Sequence, residues 1–434
     1  MKKKLVLILA FAMVLTLAVG CATSGADNPA SSADSSPSDN THPSDTTSPV
    51  GNTTPPPASN GPVSATVSLA DSSDYYIGTM VGAQVQAAFE SAGAKVDVLD
   101  AATQISTQLQ QIQNAVTKGT DIIYVFPVGD AEAYHDPLVA ARQAGVKVIV
   151  SNNDPGEGAY DVYVGSEEFY MGAMQAAMVS KWIGDNLPGA SQVKVLILES
   201  HFNETMAHRC LGMRLIGEQF LRQCDIQNMY FVKTPGNPVT YTDASGNEQS
   251  VDEPTGGLIL DSSGHAILNP FYDPRVILIE NSNRVSTGVT ATEAQAALEA
   301  AVTNGNSDIQ IIMAYGDVGI SMSDKVLEMC NAHTLTNSPD KIAVFCSDAT
   351  DNNVAAIKSS IDSSASVLRG VMAAGDLIAT VCDYAKRMAQ GENVQDYIME
   401  PLSYELADAN GNIITVYYTD IHQLSPDISE FFGE

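Results

Sequence analysis

The stretch Ser151-Asn152-Asn153-Asp154-Pro155 follows an apolar run and gathers amide and carboxylate groups at one point of the chain. An asparagine side chain donates and accepts at once. Such a loop can bond neighbouring hydroxyls of a small polar ligand, or it can simply cap its own turn beside Pro155. Pro127-Val128-Gly129-Asp130 ends an earlier apolar run in the same way. Covalent chemistry finds less support. After the first apolar run stands Asp71-Ser72-Ser73-Asp74, not a glycine-rich phosphate loop, and no Gly-x-Ser-x-Gly elbow occurs. His201 and His208 could share a helix face, but a third ligand is missing. The Asp408-Ala409-Asn410-Gly411-Asn412 turn carries glycine at its fourth place, where a calcium loop of the EF-hand type needs it at the sixth. No metal, no cofactor and no enzyme activity are expected.

The elements that position these loops read clearly. Ile105, Leu109, Ile112 and Val116 form one apolar helix face, closed by Gly119. Ile122 to Phe126 is apolar on both parities, as a strand buried on both faces must be. A helix from Ala131 to Ala144 and a strand from Val146 to Val150 follow. This rhythm means parallel strands with right-handed crossovers, whose carboxyl ends line a ligand crevice. Before this unit come a strand at Val67 to Leu69, a helix from about Ile77 to Ala92 and a strand at Lys95 to Leu99. After it come a strand at Val162 to Gly165 and a helix with Ser166 as its N-cap. On that helix Met171, Met174, Met178 and Trp182 share a face and read as a core seam. A second series runs from Val193, with a helix from Met206 to Leu221 and strands at Val276, Ile309 and Ile342. Two such series predict two doubly wound α/β lobes. Residues 222–273 break the pattern and read as β-hairpins, with turns at Asp243 to Gly246 and Asp261 to Gly264.

The N-terminus predicts an export signal. Lys2, Lys3 and Lys4 precede an apolar run from Leu5 to Val19 that is short for a membrane span, and the run ends at Gly20-Cys21. These residues resemble a bacterial lipoprotein signal, which implies cleavage before Cys21 and its lipidation. Residues 22–65 are rich in Ser, Thr, Pro, Asp and Asn, and predict a solvated tether. The 434-residue chain has a formal net charge of −30, which argues against nucleic acid and anionic lipid as partners. Of the other cysteines, Cys210 lies on the predicted helix and Cys224 just beyond it, too far apart for a bridge if that helix is continuous. Cys330 and Cys346 could meet, but five buried small side chains is the plainer reading.

Together the Asp74-Tyr75-Tyr76 loop, Ile112 to Asp121, Phe126-Pro127-Val128, Ala144 to Val150 and Val164-Gly165-Ser166 resemble the periplasmic sugar-binding protein family. This is the ribose and galactose-like group of type I solute-binding proteins of bacterial ABC importers. The resemblance spans roughly Val67 to Gln390 and implies two parallel-sheet lobes joined by a three-strand hinge. Crossings would lie near Glu167, Val371 to Ala374, and Pro401. The expected lobes are 66–168 plus 373–400 and 169–372 plus 401–434, with the insertion 222–273 in the second.

The resemblance also places candidate ligand residues. Tyr75 and Tyr76 take the place of an aromatic pair that packs on a sugar ring. Asn152 stands where the family often has an aspartate, and Asn153 where it often has an arginine. Arg209 matches an arginine that is more often structural. Asn283 and Arg284 replace an expected aromatic after Glu280. Asp317 and Asp348 match ligand-facing positions, or could cap the helices that follow. The implied protein is a monomer that captures a small polyhydroxylated ligand, a monosaccharide, and delivers it to ABC permease subunits. A ligand-binding part of a sensory or quorum-signalling receptor is the alternative, with the insertion as its docking surface.

Because the tether is polar throughout, the lipid on Cys21 should be the protein's sole hold on the membrane. Cys21→Ser should move the protein into the soluble fraction, read by fractionation after a high-salt wash. Retention of the variant on membranes would refute the lipoprotein assignment.

Overall fold

The computed structural model describes residues 61–129, 131–200, 204–279, 290–363, 365–421, 424 and 426–433. Within them the chain runs β1 (Ser64–Leu69), α1 (Ala83–Ser91), β2 (Lys95–Asp100), α2 (Ile105–Lys118), β3 (Ile122–Val125), α3 (His135–Gln143), β4 (Lys147–Ser151) and β5 (Val162–Gly165). Then follow α4 (Glu168–Asn186), β6 (Val193–Leu198), α5 (Glu204–Arg214), β7 (Cys224–Asp225), β8 (Tyr230–Phe231), β9 (Thr240–Thr242), β10 (Glu248–Ser250) and β11 (Val276–Ile279). The last third holds α6 (Ala291–Thr303), β12 (Ile311–Ala314), α7 (Gly319–Asn331), β13 (Ala343–Ser347), α8 (Asp351–Asp362), β14 (Leu368–Ala374) and α9 (Leu377–Ala389). It closes with β15 (Asp396–Met399), β16 (Leu402–Ala407), β17 (Ile413–Tyr417), α10 (Tyr418–Ile421) and α11 (Ile428–Phe432).

Two sheets organise these elements. One is six-stranded and parallel, in the order β15-β5-β4-β3-β1-β2. The other is seven-stranded, β11-β6-β12-β13-β14-β16-β17, with antiparallel pairing only at β14-β16-β17. Strands β3, β5, β12 and β13 are buried at every residue, which is why their sequences are apolar on both parities. The fold is therefore two doubly wound lobes. The chain passes between the sheets at 166–167, 375–376 and 400–401. Backbone bonds knit these crossings into one hinge: Glu400 N–H donates to Gly165 O at 2.7 Å, and Gly375 N–H to Pro401 O at 2.7 Å. Gly375 leaves room there for the Glu400 carboxylate, which accepts from Asp376 N–H at 3.1 Å; a Cβ would lie 2.0 Å from Glu400 Oε2 and 2.9 Å from Pro401 Cδ.

Several helices depart from their predicted form. On α2 the buried residues are Gln108, Ile112 and Ala115, while Ile105 is exposed. Leu109 and Val116 pack half-buried beside Ile112 as predicted, and the departure is Ile105 together with the buried Gln108 amide. That amide donates to Phe126 O at 2.9 Å and accepts from Val128 N–H and the Tyr134 hydroxyl. It thereby ties α2 to the loop after β3, so a polar partner outweighs one more apolar contact. Ser166 is not the cap of α4. Glu167 holds that position, and the Ser166 hydroxyl turns to Met171 Sδ. The predicted helix to Leu221 ends at Arg214 and a short 3-10 turn at Leu215–Gly217, so Cys224 falls on β7. The predicted helix from Ala131 opens with a 3-10 turn, Ala131–Tyr134, and is α-helical only from His135.

Within 222–273 the structure holds the hairpin β9-β10 and the pair β7-β8. Its turns close as the sequence predicts. Asp243 Oδ1 accepts from Ser245 and Asn247 N–H, and Asp261 Oδ1 from Ser263 and His265 N–H. The turn at Asp408 repeats this pattern with Asn410 and Asn412, so its carboxylate serves the backbone. Cys210, Cys224, Cys330 and Cys346 are buried free thiols, and Cys382 is a half-buried one.

The second lobe is built on α4, which is buried nearly all round. Met171, Met174, Met178 and Trp182 all lie in its core. Helix α5 crosses α4 backbone to backbone. A Cβ on Gly172 would fall 1.9 Å from Arg209 O, and one on Gly212 2.0 Å from Phe169 O. Gly172→Ala should therefore cost at least about 1–3 kcal/mol as overpacking. Gly184→Ala, on the same helix with no neighbour within 4 Å of the new Cβ, should be neutral or stabilise by about 0.5–1 kcal/mol. Urea melts of the two variants test this, and equal midpoints would contradict the close crossing.

Candidate functional site

Equivalent loops begin at the carboxyl ends of both sheets' strands, and charges on the two lobes act on one another there. Strand β4 ends at Ser151 and passes to Asn152 at φ 74°; β13 ends at Ser347 and passes to Asp348 at φ 68°. Both residues occupy the left-handed region, uncommon for a side chain larger than glycine's and most tolerable for Asn and Asp. The preceding serines are buried and anchored. The Ser151 and Tyr124 hydroxyls are 2.6 Å apart, and the Ser347 hydroxyl donates to Tyr315 O at 2.6 Å.

On the first lobe, Tyr76 is carried by a wide π-helical turn, Tyr75–Gly82, that precedes α1. Asp74 Oδ1 caps this turn by accepting from Ile77 N–H, and Gly78 is needed because a Cβ would lie 2.0 Å from Ser72 O. Widened turns of this kind frequently mark functional positions. Tyr76 keeps 39% of its surface exposed. Its hydroxyl is nevertheless placed among protein atoms, and burial followed by the Asp348 charge pushes its pKa up. Asn153 is buried, and its amide donates to Gly129 O at 2.8 Å, tying together the loops after β3 and β4. Asn152 is half-buried, with its amide N–H on Asn153 Oδ1.

On the second lobe, Arg209 projects from the α5 crossing. Its guanidinium grips Glu168 with Nε–Oε2 at 2.6 Å and Nη2–Oε1 at 2.9 Å. It also lies 4.5 Å over the Tyr315 ring and reaches the Ser347 hydroxyl at 3.3 Å. Burial opposes its charge, but Glu168 holds its pKa above the ordinary value. Asp317 and Asp348 are not helix caps: Val318 precedes α7 without a side-chain bond, and Thr350 caps α8. Instead Asn353 Nδ2 donates to Asp317 Oδ1 at 2.6 Å and to Asp348 O at 2.8 Å. Burial raises the Asp348 carboxyl to about 6. Arg209 pulls it down, while Asp317, Glu168 and Asp74 push it up.

One electrostatic neighbourhood thus contains Tyr76 and Asp74 from the first lobe, Asp348, Asp317 and Arg209 from the second, and Glu168 and Asp376 from the hinge. Glu168, Asp74, Asp376 and Tyr315 were missed as site residues by sequence reading. The adjacent Glu167 and Glu168 at a crossing were the only hint. Asn283, Arg284, His201 and Cys21 lie outside the described residues, as does the side chain of Tyr75. Among the described residues no group of three or more His, Cys, Asp or Glu is placed to hold a metal ion, and no helix is long and apolar enough to cross a membrane.

Two parallel-sheet lobes with facing strand ends and a triple crossing define a type I periplasmic binding protein fold. Residues 65–251 match the periplasmic binding protein domain family. The D-xylose-binding periplasmic protein of Escherichia coli (strain K12) is 30% identical over 20% of this chain and 26% of its own. The ribose import binding protein of Bacillus subtilis (strain 168) is 24% identical over 33% of this chain and 45% of its own. The chain thus spans less than half the length of these curated relatives. An ABC transporter solute binding protein from Bacillus halodurans C-125, solved with bound myo-inositol, superposes with a TM-score of 0.52 at 18% identity. That superposition covers 81% of this chain and 96% of the other.

The Asp348 carboxyl makes stability depend on pH. Its folded value of about 6 lies above the ordinary 3.8, so folding disfavours the charged form. That cost is absent below the unfolded value and complete above the folded one, and a difference of this size is worth up to about 3 kcal/mol. Asp348→Asn should therefore stabilise the ligand-free protein at pH 8 and lose its advantage as pH falls towards 4. Urea midpoints at both pH values report the difference, and an advantage independent of pH would refute the buried-carboxyl account.

Proposed function

We propose that the protein is an extracytoplasmic solute-binding lipoprotein. It captures a small polyhydroxylated ligand, a monosaccharide, between its lobes and delivers it unchanged to the permease subunits of an ABC importer. The observation that carries this reading is the two-sided cleft. Tyr76 brings an aromatic ring from one lobe, and Asp317 and Asp348 bring carboxylates from the other; in this reading Asn152, at the end of β4, adds a hydrogen-bonding group from the first lobe. An aromatic face packs on sugar C–H groups, while carboxylates and amides accept from its hydroxyls. Hinge closure then hides those hydroxyls from water. The relatives named for xylose and ribose, and the neighbour holding myo-inositol, support a polyol ligand. In this reading Arg284, Asn283 and Tyr75 complete the walls, Cys21 carries the lipid, and residues 22–65 space a monomeric body from the membrane.

Arg209 enters as a residue that holds Glu168 and Tyr315 in place, and so shapes the second-lobe wall. Asn153 serves the first lobe in the same manner. Native mass spectrometry of the purified protein should find one small ligand retained. Losing a buried hydrogen-bond partner costs about 1–3 kcal/mol, roughly 5- to 150-fold in affinity. Asp348→Ala and Asn152→Ala should each weaken binding of that ligand by at least the lower factor in calorimetry, with circular dichroism unchanged. Wild-type affinity in both variants would remove the ligand from this cleft.

A further inference from the structure

On the flank of the first lobe, where the loop between β4 and β5 meets the edge strand β15, lies a cavity of about 590 Å³. That volume is within the range of small-molecule sites. Tyr160 and Tyr397 are the aromatic residues of its lining, and Tyr163 packs behind them. Parallel register sets Tyr397 beside Tyr163, and their rings stack with centroids 5.1 Å apart at 26°. Tyr160 leans on both, at 5.5 and 6.4 Å. Cross-strand packing accounts for Tyr163, which is buried and donates its hydroxyl to Asn152 O at 3.0 Å. It does not account for Tyr397, which leaves 53% of its surface open on an edge strand, beside a half-buried Tyr160.

The rim offers acceptors. Asp154 and Glu157 are exposed carboxylates. Asp154 lies close enough to act on both the Tyr160 and Tyr397 hydroxyls. The arginine of the lining is already engaged, because Arg142 pairs with Asp161 at 2.8 Å and donates to Gly158 O at 2.7 Å. A ligand must therefore bring hydroxyl donors and a flat C–H face. An ammonium group would be best served by rings closing around it, whereas here Tyr397 already stacks on Tyr163 and the other lining ring, Tyr160, is tilted to it by 35°.

We propose that this cavity is a second carbohydrate site, which takes a short segment of a neutral glycan on Tyr397 and Tyr160 with its hydroxyls donated to Asp154 and Glu157. The site is separate from the cleft. One loop serves both, with Asn152 at the strand end and Asp154 and Tyr160 in the cavity, and the cavity stands whether or not the cleft reading holds.

The test is calorimetry of the full chain with maltotriose and cellotriose as glycan probes and spermidine as the cationic control. At least one trisaccharide should bind saturably. Tyr397→Ala should weaken it by about tenfold, the loss of one stacking contact, while Tyr76→Ala should leave it unchanged. Tyr397 is half exposed, so its removal spares the core, and Asp154→Asn provides a second variant that should also weaken binding. The proposal is overturned if neither trisaccharide binds, if only spermidine does, or if Tyr76→Ala rather than Tyr397→Ala abolishes trisaccharide binding.

Discussion

Everything in the second lobe's half of the cleft depends on how closely α4 and α5 approach. Gly172 and Gly212 let the two backbones touch, and at any larger separation Arg209 would not span to Glu168, Tyr315 and Ser347 at once. Glu168 is the first residue of α4, immediately after a crossing from the other lobe. The buried pair therefore ties the hinge to the strand ends that face the cleft. Removing one partner from such a pair strands the other charge in a low-dielectric interior, which costs far more than the pair itself contributes. The pair specifies geometry more than it adds stability.

The first lobe solves the same problem with neutral groups. Gln108 joins Phe126, Val128 and Tyr134, and Asn153 joins Gly129, so the loops after β3 and β4 are held by amides. On that wall Asp74 is the carboxylate that acts on Asp348. The other carries Arg209 already neutralised by Glu168, together with Asp348 and Asp317. Asp348 feels the imbalance because its burial is only partly offset by an arginine shared with another carboxylate.

The insertion stands apart from this machinery. Its pairs of short strands are held by aspartate turns and by Arg222, which is fully buried and donates to Pro254 O at 2.8 Å. It extends the second lobe without contributing a strand to the main sheet.

The sequence by itself determined the alternation of strand and helix, the parallel core of both sheets, the hairpin turns and the loops at the strand ends, while the antiparallel edge β14-β16-β17 came from the structure. Each rests on local signals: apolar runs four to six residues long, glycine caps such as Gly119, and aspartate turns such as Asp243. What it left open is how side chains share space across elements. Gln108 is buried on α2 because its partners come from the loop after β3 and from Tyr134, which no periodicity reveals. Glu168 opens α4, where any carboxylate suits the helix dipole, and only the glycine crossing brings Arg209 to it from 41 positions away. Asp317 and Asp348 read equally well as caps, and only the placement of Val318 and Thr350 decided against that. Local propensity is written in consecutive residues, whereas burial, charge pairing and backbone contact depend on residues far apart in the chain, and those only the tertiary structure brings together.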